Sequence, residues 1–353
     1  MAAIDCGTNS IRLLVADLPE PDRAPGPGGP ADGPSEPAGG GAEPAGGESA
    51  AAAAPLRDVV RRMEIVRLGQ GVDRTGRLAP EAIERTRVAL ADYAAEIERT
   101  GAERVRMVAT SASRDASNAD EFRAMVSRTL GVEPEVVTGD EEARLSFTGA
   151  VRGLPPDARA PFLVVDIGGG STEFVVGART LEAAISMDIG CVRMTERHLH
   201  GDPPTVDEIA AAQADITAAV DRALDAVGRG ASGGGRQTGG RQARGVPGRE
   251  AATLVGLAGS VTTVAAIALG LRAYDPGRIH HARIPYDDVA KVTTELLSMS
   301  SEQRRAIPVM HPGRADVIGA GALVLQTIMQ RAGMDAVVAS EHDILDGIAW
   351  SLS

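Results

Sequence analysis

The stretch 166–173, DIGGGSTE, decides the fold of this chain. It follows the apolar run 161–165, PFLVV, and leads into FVVG at 174–177, so three glycines and two hydroxyl residues form a turn between apolar strands. Glycines expose consecutive backbone N–H groups and the hydroxyls add donors, which suits a phosphate group. The turn is not that of a P-loop or of a dinucleotide-binding motif, because a strand rather than a helix follows it.

A fainter copy of this turn lies near the start of the chain. Residues 5–15, DCGTNSIRLLV, align with 166–176, DIGGGSTEFVV, and place Asp over Asp, Gly over Gly, Ser over Ser and Val over Val. A single Asp-x-Gly turn between apolar strands is common in proteins of any function. Two copies indicate a duplicated lobe, and we predict that the two turns face each other across a cleft.

Length and composition agree with two lobes. The chain has 353 residues, whereas a single core stops growing at roughly 250 to 300. Only 2% of the residues are aromatic, so we expect an aliphatic core. A formal charge of -12 argues against a nucleic-acid partner. The two cysteines and six histidines show neither a disulfide framework nor zinc-binding spacing.

Several segments indicate where in the cell the protein acts and which parts of the chain are expected to be disordered. The first residues lack a signal-peptide pattern, and the uncharged segment 251–271 is rich in Ala, Gly, Ser and Thr, which favours a strand, a turn and a buried helix over a membrane span. We therefore expect a cytoplasmic protein with no membrane partner. Residues 19–55 and 228–250 lack hydrophobic periodicity, and we expect a disordered insertion and a flexible linker.

Strands and helices alternate along the remaining sequence, which predicts an α/β protein. Helices are expected at 80–100, 118–131, 205–227, 286–299 and 313–332, with one starting at the N-cap Asp140 and a last one from about His342. Strands are expected at 104–110, 134–138, 253–257 and 335–340 besides those around the two turns. We place the first lobe at 1–157 and the second at 158–353.

Six segments resemble, in order, the exopolyphosphatase and guanosine pentaphosphate phosphatase family (Ppx/GppA), within the superfamily of acetate and sugar kinases, Hsp70 and actin. They are AIDCGTNSIRLLVAD (3–17), VATSASRDASN (108–118), TGDEEARLSFTGA (138–150), VVDIGGGSTEFVVG (164–177), DIGCVRMTER (188–197) and GLAGSVTT (256–263). The resemblance implies duplicated actin-like (ribonuclease H-like) lobes flanking an interlobe cleft. It also implies the short form of the family, without a C-terminal HD-type domain. The segments 311–326 and 340–352 also resemble the short form of the family, but their residues suggest no catalytic or binding role.

The resemblance implies a Mg²⁺-dependent hydrolase that releases terminal orthophosphate from inorganic polyphosphate by attack of water. One alternative is a hydrolase of guanosine pentaphosphate (pppGpp) in the stringent response. A second is a kinase of the same superfamily, against which the position of EEARL before DIGGGSTE counts. A third is a non-catalytic sensor that binds polyphosphate or an alarmone. A homodimer is the default assembly.

The same resemblance assigns Glu142 as the catalytic carboxylate and Asp166 and Glu173 as metal ligands. Glu142 lies in the first turn of a predicted helix, where the positive end of the helix dipole should keep it ionised. Taken alone, acidic residues at 140–142 are ordinary helix-start composition. Mg²⁺ prefers one or two carboxylates together with phosphate oxygens and water. Asp5, in the first turn, is a weaker candidate for a water-mediated contact.

The expected phosphate contacts lie in four donor-rich turns. They are Thr8, Asn9, Ser10, Gly168, Gly169, Gly170, Ser171, Thr172, Thr110 and Ser260, joined by Arg12 and Arg114. An acidic protein that binds a polyanion needs local guanidinium groups, although a solvated strand-edge position is equally ordinary for Arg12. Cys6 is expected to be a small buried residue rather than a nucleophile. Because Arg12 aligns with Glu173, the metal should lie nearer the second lobe.

Overall fold

The computed structural model describes residues 1–17, 56–232 and 251–353. The predicted disordered insertion at 19–55 lies outside the described residues, and so does most of the predicted linker. Residues 228–232 are an exception, because they continue a helix that we expected to end at 227.

The first sheet has five strands: β1 (Ala2–Cys6), β2 (Ser10–Asp17), β3 (Arg57–Ile65), β4 (Val105–Ala109) and β5 (Glu135–Val136). Their order is β3-β2-β1-β4-β5. The first three strands form an antiparallel meander, and β4 and β5 run parallel to β1. The N-terminal hairpin predicted from 5–15 therefore lies at the centre of this sheet.

The second sheet repeats this arrangement. Its strands are β6 (Phe162–Ile167), β7 (Thr172–Gly177), β8 (Leu181–Met187), β9 (Thr253–Leu257), β10 (Arg283–Pro285) and β11 (Ala336–Ala339), in the order β10-β11-β9-β6-β7-β8. Again the first three strands are antiparallel, and β9 and β11 continue in parallel from β6. The shared order confirms the predicted fold of two duplicated ribonuclease H-like lobes, and β10 is an addition at one edge.

Helices cover both sheets. In the first half they are α1 (Val72–Thr75), α2 (Pro80–Thr100), α3 (Ser111–Asp115), α4 (Ala119–Leu130) and α5 (Gly139–Val151). In the second half they are α6 (Cys191–His198), α7 (Val206–Ser232), α8 (Ala258–Ala268), α9 (Pro276–Ile279), α10 (Tyr286–Ser298), α11 (Ser301–Arg305), α12 (Ile318–Ala332) and α13 (Ile344–Trp350). Helix α13 packs on α5, β1 and β2, so the end of the chain returns to the first sheet. A lobe boundary at 157/158 remains a proposal.

The start of α5 differs from the prediction. Thr138 is the N-cap, and its hydroxyl accepts a hydrogen bond from the Glu141 backbone N–H at 3.2 Å. The predicted cap, Asp140, lies inside the first helical turn instead, because Gly139 already has helical conformation. The predicted capping box of α7 is confirmed: Thr205 and Glu208 exchange side-chain to backbone hydrogen bonds at 3.3 and 2.8 Å.

The core is aliphatic, as expected from the composition. Its largest cluster lies between the second sheet and helices α7, α8, α10 and α12, and a second fills the space between the first sheet and helices α2 and α4. The segment 251–271 forms β9 and α8, as the sequence predicts. None of the helices in the described ranges combines the length and apolar character that a membrane crossing requires.

Candidate functional site

The two hairpin turns have the same backbone hydrogen bond. In the β1–β2 turn the Gly7 N–H donates to the Ser10 carbonyl at 2.9 Å, and in the β6–β7 turn the Gly168 N–H donates to the Ser171 carbonyl at 3.0 Å. These four residues are aligned in the two sequence copies. The duplication seen in the sequence therefore extends to turn geometry.

The turns touch across the cleft between the lobes. A Cβ atom added to Gly170 would lie 2.6 Å from Ser111 Oγ and 2.8 Å from Thr8 Oγ1, and one added to Gly169 would lie 2.8 Å from Thr8 Cβ. Thr8 and Ser111 are themselves joined by a hydrogen bond of 2.9 Å between their hydroxyls. Gly169 and Gly170 are thus the positions at which the second lobe approaches the first.

A cavity of about 80 Å³ lies between the turns. It brings together most of the residues predicted for the site: Thr8, Asn9, Ser10, Arg12, Thr110, Glu142, Asp166, Gly168, Gly169, Ser171, Ser260 and the weaker candidate Asp5. Four others do not line it, namely Arg114, Gly170, Thr172 and Glu173. Thr172 donates its hydroxyl to the Ile189 carbonyl at 3.0 Å, and Arg114 contacts Glu142 from behind the cavity wall.

Asp166 and Glu173 form a buried acid pair. They are cross-strand partners in the β6–β7 hairpin. Ser146 donates to Asp166 at 2.6 Å, and Ser171 and Ser186 both donate to the same oxygen of Glu173 at 2.7 Å. Burial, and then the charge of Glu173, raises the pKa of Asp166 to about 8. Burial also raises the pKa of Glu173. Among the described residues neither carboxylate forms an ion pair, although the charges of Arg12 and Arg114 lower the pKa of Asp166 and of Glu173 respectively.

Glu142 faces the cavity from the first turn of α5 and is 7% exposed. Arg114 Nη1 lies 3.2 Å from its carboxylate and 3.0 Å from the Val137 carbonyl. Burial, followed by the charge of Glu173, raises the pKa of Glu142 well above its usual range. Burial and the neighbouring acid thus oppose the helix dipole that was expected to keep Glu142 ionised, whereas the charge of Arg114 acts in the same direction as the dipole.

In the first hairpin the acid is paired with an arginine. Asp5 and Arg12 are cross-strand partners, and Arg12 Nε and Nη2 lie 3.0 and 2.6 Å from the same carboxylate oxygen. Arg12 Nη1 contacts Asp343, the N-cap of α13. Arg12 is therefore not a solvated strand-edge residue. The other oxygen of Asp5 is buried and has no hydrogen-bond partner in the described part of the chain.

Arg314 is a cavity residue that the sequence reasoning missed. It lies within the segment 311–326, for which the sequence suggested no chemistry. Its hydrogen bond is to the Thr263 hydroxyl, at 3.4 Å, and no described carboxylate lies within ion-pair distance. Burial lowers its pKa. A Cβ at Gly259 would lie 2.3 Å from the Arg314 guanidinium carbon, so this glycine makes room for the side chain.

A larger cavity of about 530 Å³ adjoins the first. The two share Arg12, Ala258, Gly259 and Arg314 in their walls. The rest of the larger cavity combines the cationic and apolar groups of Arg61, Arg62, Tyr274, Met310 and His311 with two carboxylates, Glu341 and Asp343. The small cavity thus opens beside a larger space whose shared wall carries Arg12 and Arg314.

Comparison with known proteins gives a consistent result. The model of the Ppx/GppA phosphatase family matches residues 48–352. Exopolyphosphatase 2 of Mycobacterium tuberculosis is 49% identical over 362 aligned positions, which cover 100% of this chain and 98% of that protein. The crystal structure of an exopolyphosphatase-like protein has a TM-score of 0.81 at 38% identity, covering 99% of this chain and 98% of that one. An Aquifex aeolicus PPX-GPPA enzyme has a TM-score of 0.70 at 29% identity, with coverage of 99% and 98%.

Proposed function

We propose that this chain, which belongs to the Ppx/GppA phosphatase family, is an exopolyphosphatase that releases terminal orthophosphate from inorganic polyphosphate by attack of water. The observation that carries the proposal is the cavity between the paired turns, where glycine amides and hydroxyls meet three buried carboxylates, Asp5, Glu142 and Asp166, and the guanidinium groups of Arg12 and Arg314. The 49% identical relative is named an exopolyphosphatase.

The terminal phosphate is proposed to bind between the two turns. The backbone N–H of Gly169 and the hydroxyls of Thr8 and Ser10 are the proposed donors to its oxygens. Gly168 and Ser171 also line the cavity, but the Gly168 N–H already donates to the Ser171 carbonyl and the Ser171 hydroxyl to Glu173. Arg314 is the guanidinium best placed to add charge, because Arg12 is already held by two carboxylates. Asn9, Thr110 and Ser260 complete the proposed set, and Gly170, Thr172 and Arg114 support it from outside the cavity.

A magnesium ion fits the acid pair. Among the described residues no three His, Cys, Asp or Glu side chains form a ready-made metal site. Mg²⁺ commonly takes one or two carboxylates and completes its shell with phosphate oxygens and water. We propose Asp166 and Glu173 as its ligands. Asp5, whose buried oxygen lacks a partner, would be linked through water. When bound, the ion neutralises charge on the phosphate oxygens.

Glu142 is proposed to orient and deprotonate the attacking water. Phosphoryl transfer proceeds through a loose transition state, so positioning and charge neutralisation carry most of the catalysis and a weak base is sufficient. Arg114 holds the carboxylate at 3.2 Å and favours its charged form, which a base requires.

The experiment that tests this function compares Glu142→Gln with Glu141→Gln. Glu141 is the next residue on α5 but its side chain is 42% exposed and lies near Arg106 rather than in the cavity. We expect Glu142→Gln to bind polyphosphate and to lose phosphate release by about 10²- to 10⁴-fold, while Glu141→Gln stays near the activity of the unmodified protein. Full activity of Glu142→Gln would exclude its role as base.

Guanosine pentaphosphate is a second candidate substrate, because the larger cavity carries an apolar wall near Tyr274 and Met310 that a nucleoside could contact. Phosphate release from polyphosphate and from pppGpp at matched concentrations separates the two. Comparable rates would make the enzyme bifunctional. Binding of either compound with no turnover in Mg²⁺ would support a non-catalytic sensor instead. A cytoplasmic location and a homodimer stay predictions.

A further inference from the structure

A third concave surface lies on the outer side of α5, away from the two cavities of the site. It is a groove of about 750 Å³ between α5, the turn joining β7 to β8, and α13, and it shares no lining residue with the other two cavities. We call it the outer groove and define it by Arg144, Phe147, Arg152, Arg179, Leu181 and Trp350. Its volume is within the roughly 300 to 1,000 Å³ typical of small-molecule sites.

One wall of the outer groove is apolar and aromatic. Phe147 and Leu181 contribute to it together with Trp350, the one tryptophan in the chain. The Arg152 guanidinium lies over the Trp350 ring, 4.2 Å from its centre, in a cation–π contact. Phe147 is 4% exposed and lies beneath this wall, so the ring available to a planar group is that of Trp350, on the face opposite Arg152.

The same groove carries cationic groups in an acidic protein. Arg144, Arg152 and Arg179 are exposed, and in the described ranges none of them has a carboxylate within ion-pair distance. The acidic residue of the lining, Glu141, lies 3.6 Å from Arg106 and so is partly neutralised. Three uncompensated guanidinium groups beside an aromatic wall match a ligand that has a planar ring at one end and several negative charges at the other.

We propose that the outer groove binds a nucleoside polyphosphate, with its base against the Trp350 wall and its phosphates on Arg144, Arg152 and Arg179. Guanidinium groups bind phosphate through paired hydrogen bonds, and bases stack on aromatic side chains. An inorganic phosphate chain would satisfy the arginines but would leave the aromatic wall unused. For this reason the groove favours a nucleotide over a second segment of polyphosphate.

The outer groove also lies against the helix that carries Glu142. Helix α5 presents Glu142 to the catalytic cavity and Arg144 and Phe147 to the groove. Helices α5 and α13 pack with their backbones in contact. A Cβ added to Gly149 of α5 would lie 1.9 Å from the Asp343 carbonyl oxygen, and a Cβ added to Gly347 of α13 would lie 2.0 Å from the Leu145 carbonyl oxygen. The proposed ligand would therefore rest on the two helices that supply Glu142 and Asp343.

Because Trp350 is the sole tryptophan, its fluorescence reports on this groove directly. The full-length protein is titrated with ADP and, in parallel, with inorganic tripolyphosphate, without Mg²⁺ so that no turnover occurs. We expect a saturable change with ADP and weaker binding of tripolyphosphate. In Arg144→Gln/Arg179→Gln, ADP binding should weaken by about tenfold or more, since each charge-assisted hydrogen bond contributes strongly.

The matched control is Arg128→Gln/Arg222→Gln, which removes the same charge from two exposed arginines on α4 and α7 that also lack ion pairs. ADP binding should be unchanged in it. The proposal is overturned if ADP causes no saturable change in Trp350 fluorescence. It is also overturned if ADP binds equally well to both double variants. Tripolyphosphate binding as tight as ADP would overturn it in favour of a second polyphosphate site. Polyphosphate hydrolysis is measured separately in each variant, so failure here leaves the proposed catalytic function untouched.

Discussion

The two central hairpins share their backbone hydrogen bonding and register, and they carry opposite charges at the position facing the aspartate. In both, an aspartate precedes the turn, a Gly N–H bonds to a Ser carbonyl, and the strands pair in the same register. Opposite the aspartate stands Arg12 in the first hairpin and Glu173 in the second. The first hairpin thus neutralises its own acid, whereas the second places two acids together in a buried position.

This difference shows how a duplicated scaffold acquires two roles. A cross-strand arginine and aspartate form a structural pair that needs no other ion, and here Asp343 adds a second carboxylate to the same arginine. A cross-strand pair of buried acids is unfavourable unless a cation joins it. The comparison therefore supports the proposal of a metal at the second hairpin, whereas the acid of the first hairpin already has a cation.

Replacing Glu173, the acid that distinguishes the second hairpin, should have the largest effect, and it should act on the Mg²⁺ requirement. In Glu173→Gln we expect the Mg²⁺ concentration for half-maximal activity to rise by more than about 100-fold, because even partners outside the metal shell alter affinity by 10- to 100-fold. The measurement is a Mg²⁺ titration of phosphate release. Glu182→Gln, an exposed acid on neighbouring β8, is the control. An unchanged Mg²⁺ requirement in Glu173→Gln would contradict the assignment.

Removing the arginine that distinguishes the first hairpin should instead affect stability. Arg12→Met leaves Asp5 and Asp343 buried without a cation, and breaking a buried pair from one side costs about 3 to 5 kcal/mol. Thermal unfolding should therefore begin at clearly lower temperature. Adding Asp343→Asn to Arg12→Met removes one uncompensated charge and should recover part of the loss. A double variant no more stable than Arg12→Met would show that Asp343 is not coupled to Arg12.

The glycines of the two turns should also respond differently. Gly170→Ala places a methyl group 2.6 Å from Ser111 Oγ and 2.8 Å from Thr8 Oγ1, so these side chains or the turn itself must shift. Misplacement of a site by about 1 Å costs on the order of 10²-fold, so we expect activity to fall by roughly 10- to 100-fold. In Gly7→Ala the nearest atom is the Ser10 carbonyl oxygen at 3.5 Å, an ordinary contact. Phosphate-release rates of the two variants within a factor of about two would contradict this contrast.

The turns and strands of the site that lie within one short stretch of sequence were predicted correctly. The two turns, their alternating strands and the aligned position of Arg12 and Glu173 are all readable within eleven residues of each copy, because strand pairing across a tight turn fixes register. The family resemblance supplied Glu142, which composition alone would have left as an ordinary helix start.

Contacts between distant segments were not predictable in the same way. Asp343 reaches Arg12 only because α13 returns to the first sheet, and Arg314 reaches the cavity only because Gly259 leaves space for it. Strand β8 and helix α6 were also not predicted. The sequence around 140–142 also does not reveal the burial of Glu142 or the nearby charge of Glu173, which both raise the pKa of Glu142.

The smallest effect is expected at the position between the acid and the glycine, where the hairpins carry Cys6 and Ile167. Both side chains are about 1% exposed, and burial raises the pKa of the Cys6 thiol, which removes its thiolate character. Cys6→Val conserves volume approximately and should change stability by less than about 1.5 kcal/mol, with phosphate release unchanged. Ile167→Val is the matched variant and should cost about 0.5 to 1.5 kcal/mol. Thermal unfolding and phosphate release measure both, and a large loss of activity in Cys6→Val alone would show that the thiol has a chemical role at the first hairpin after all.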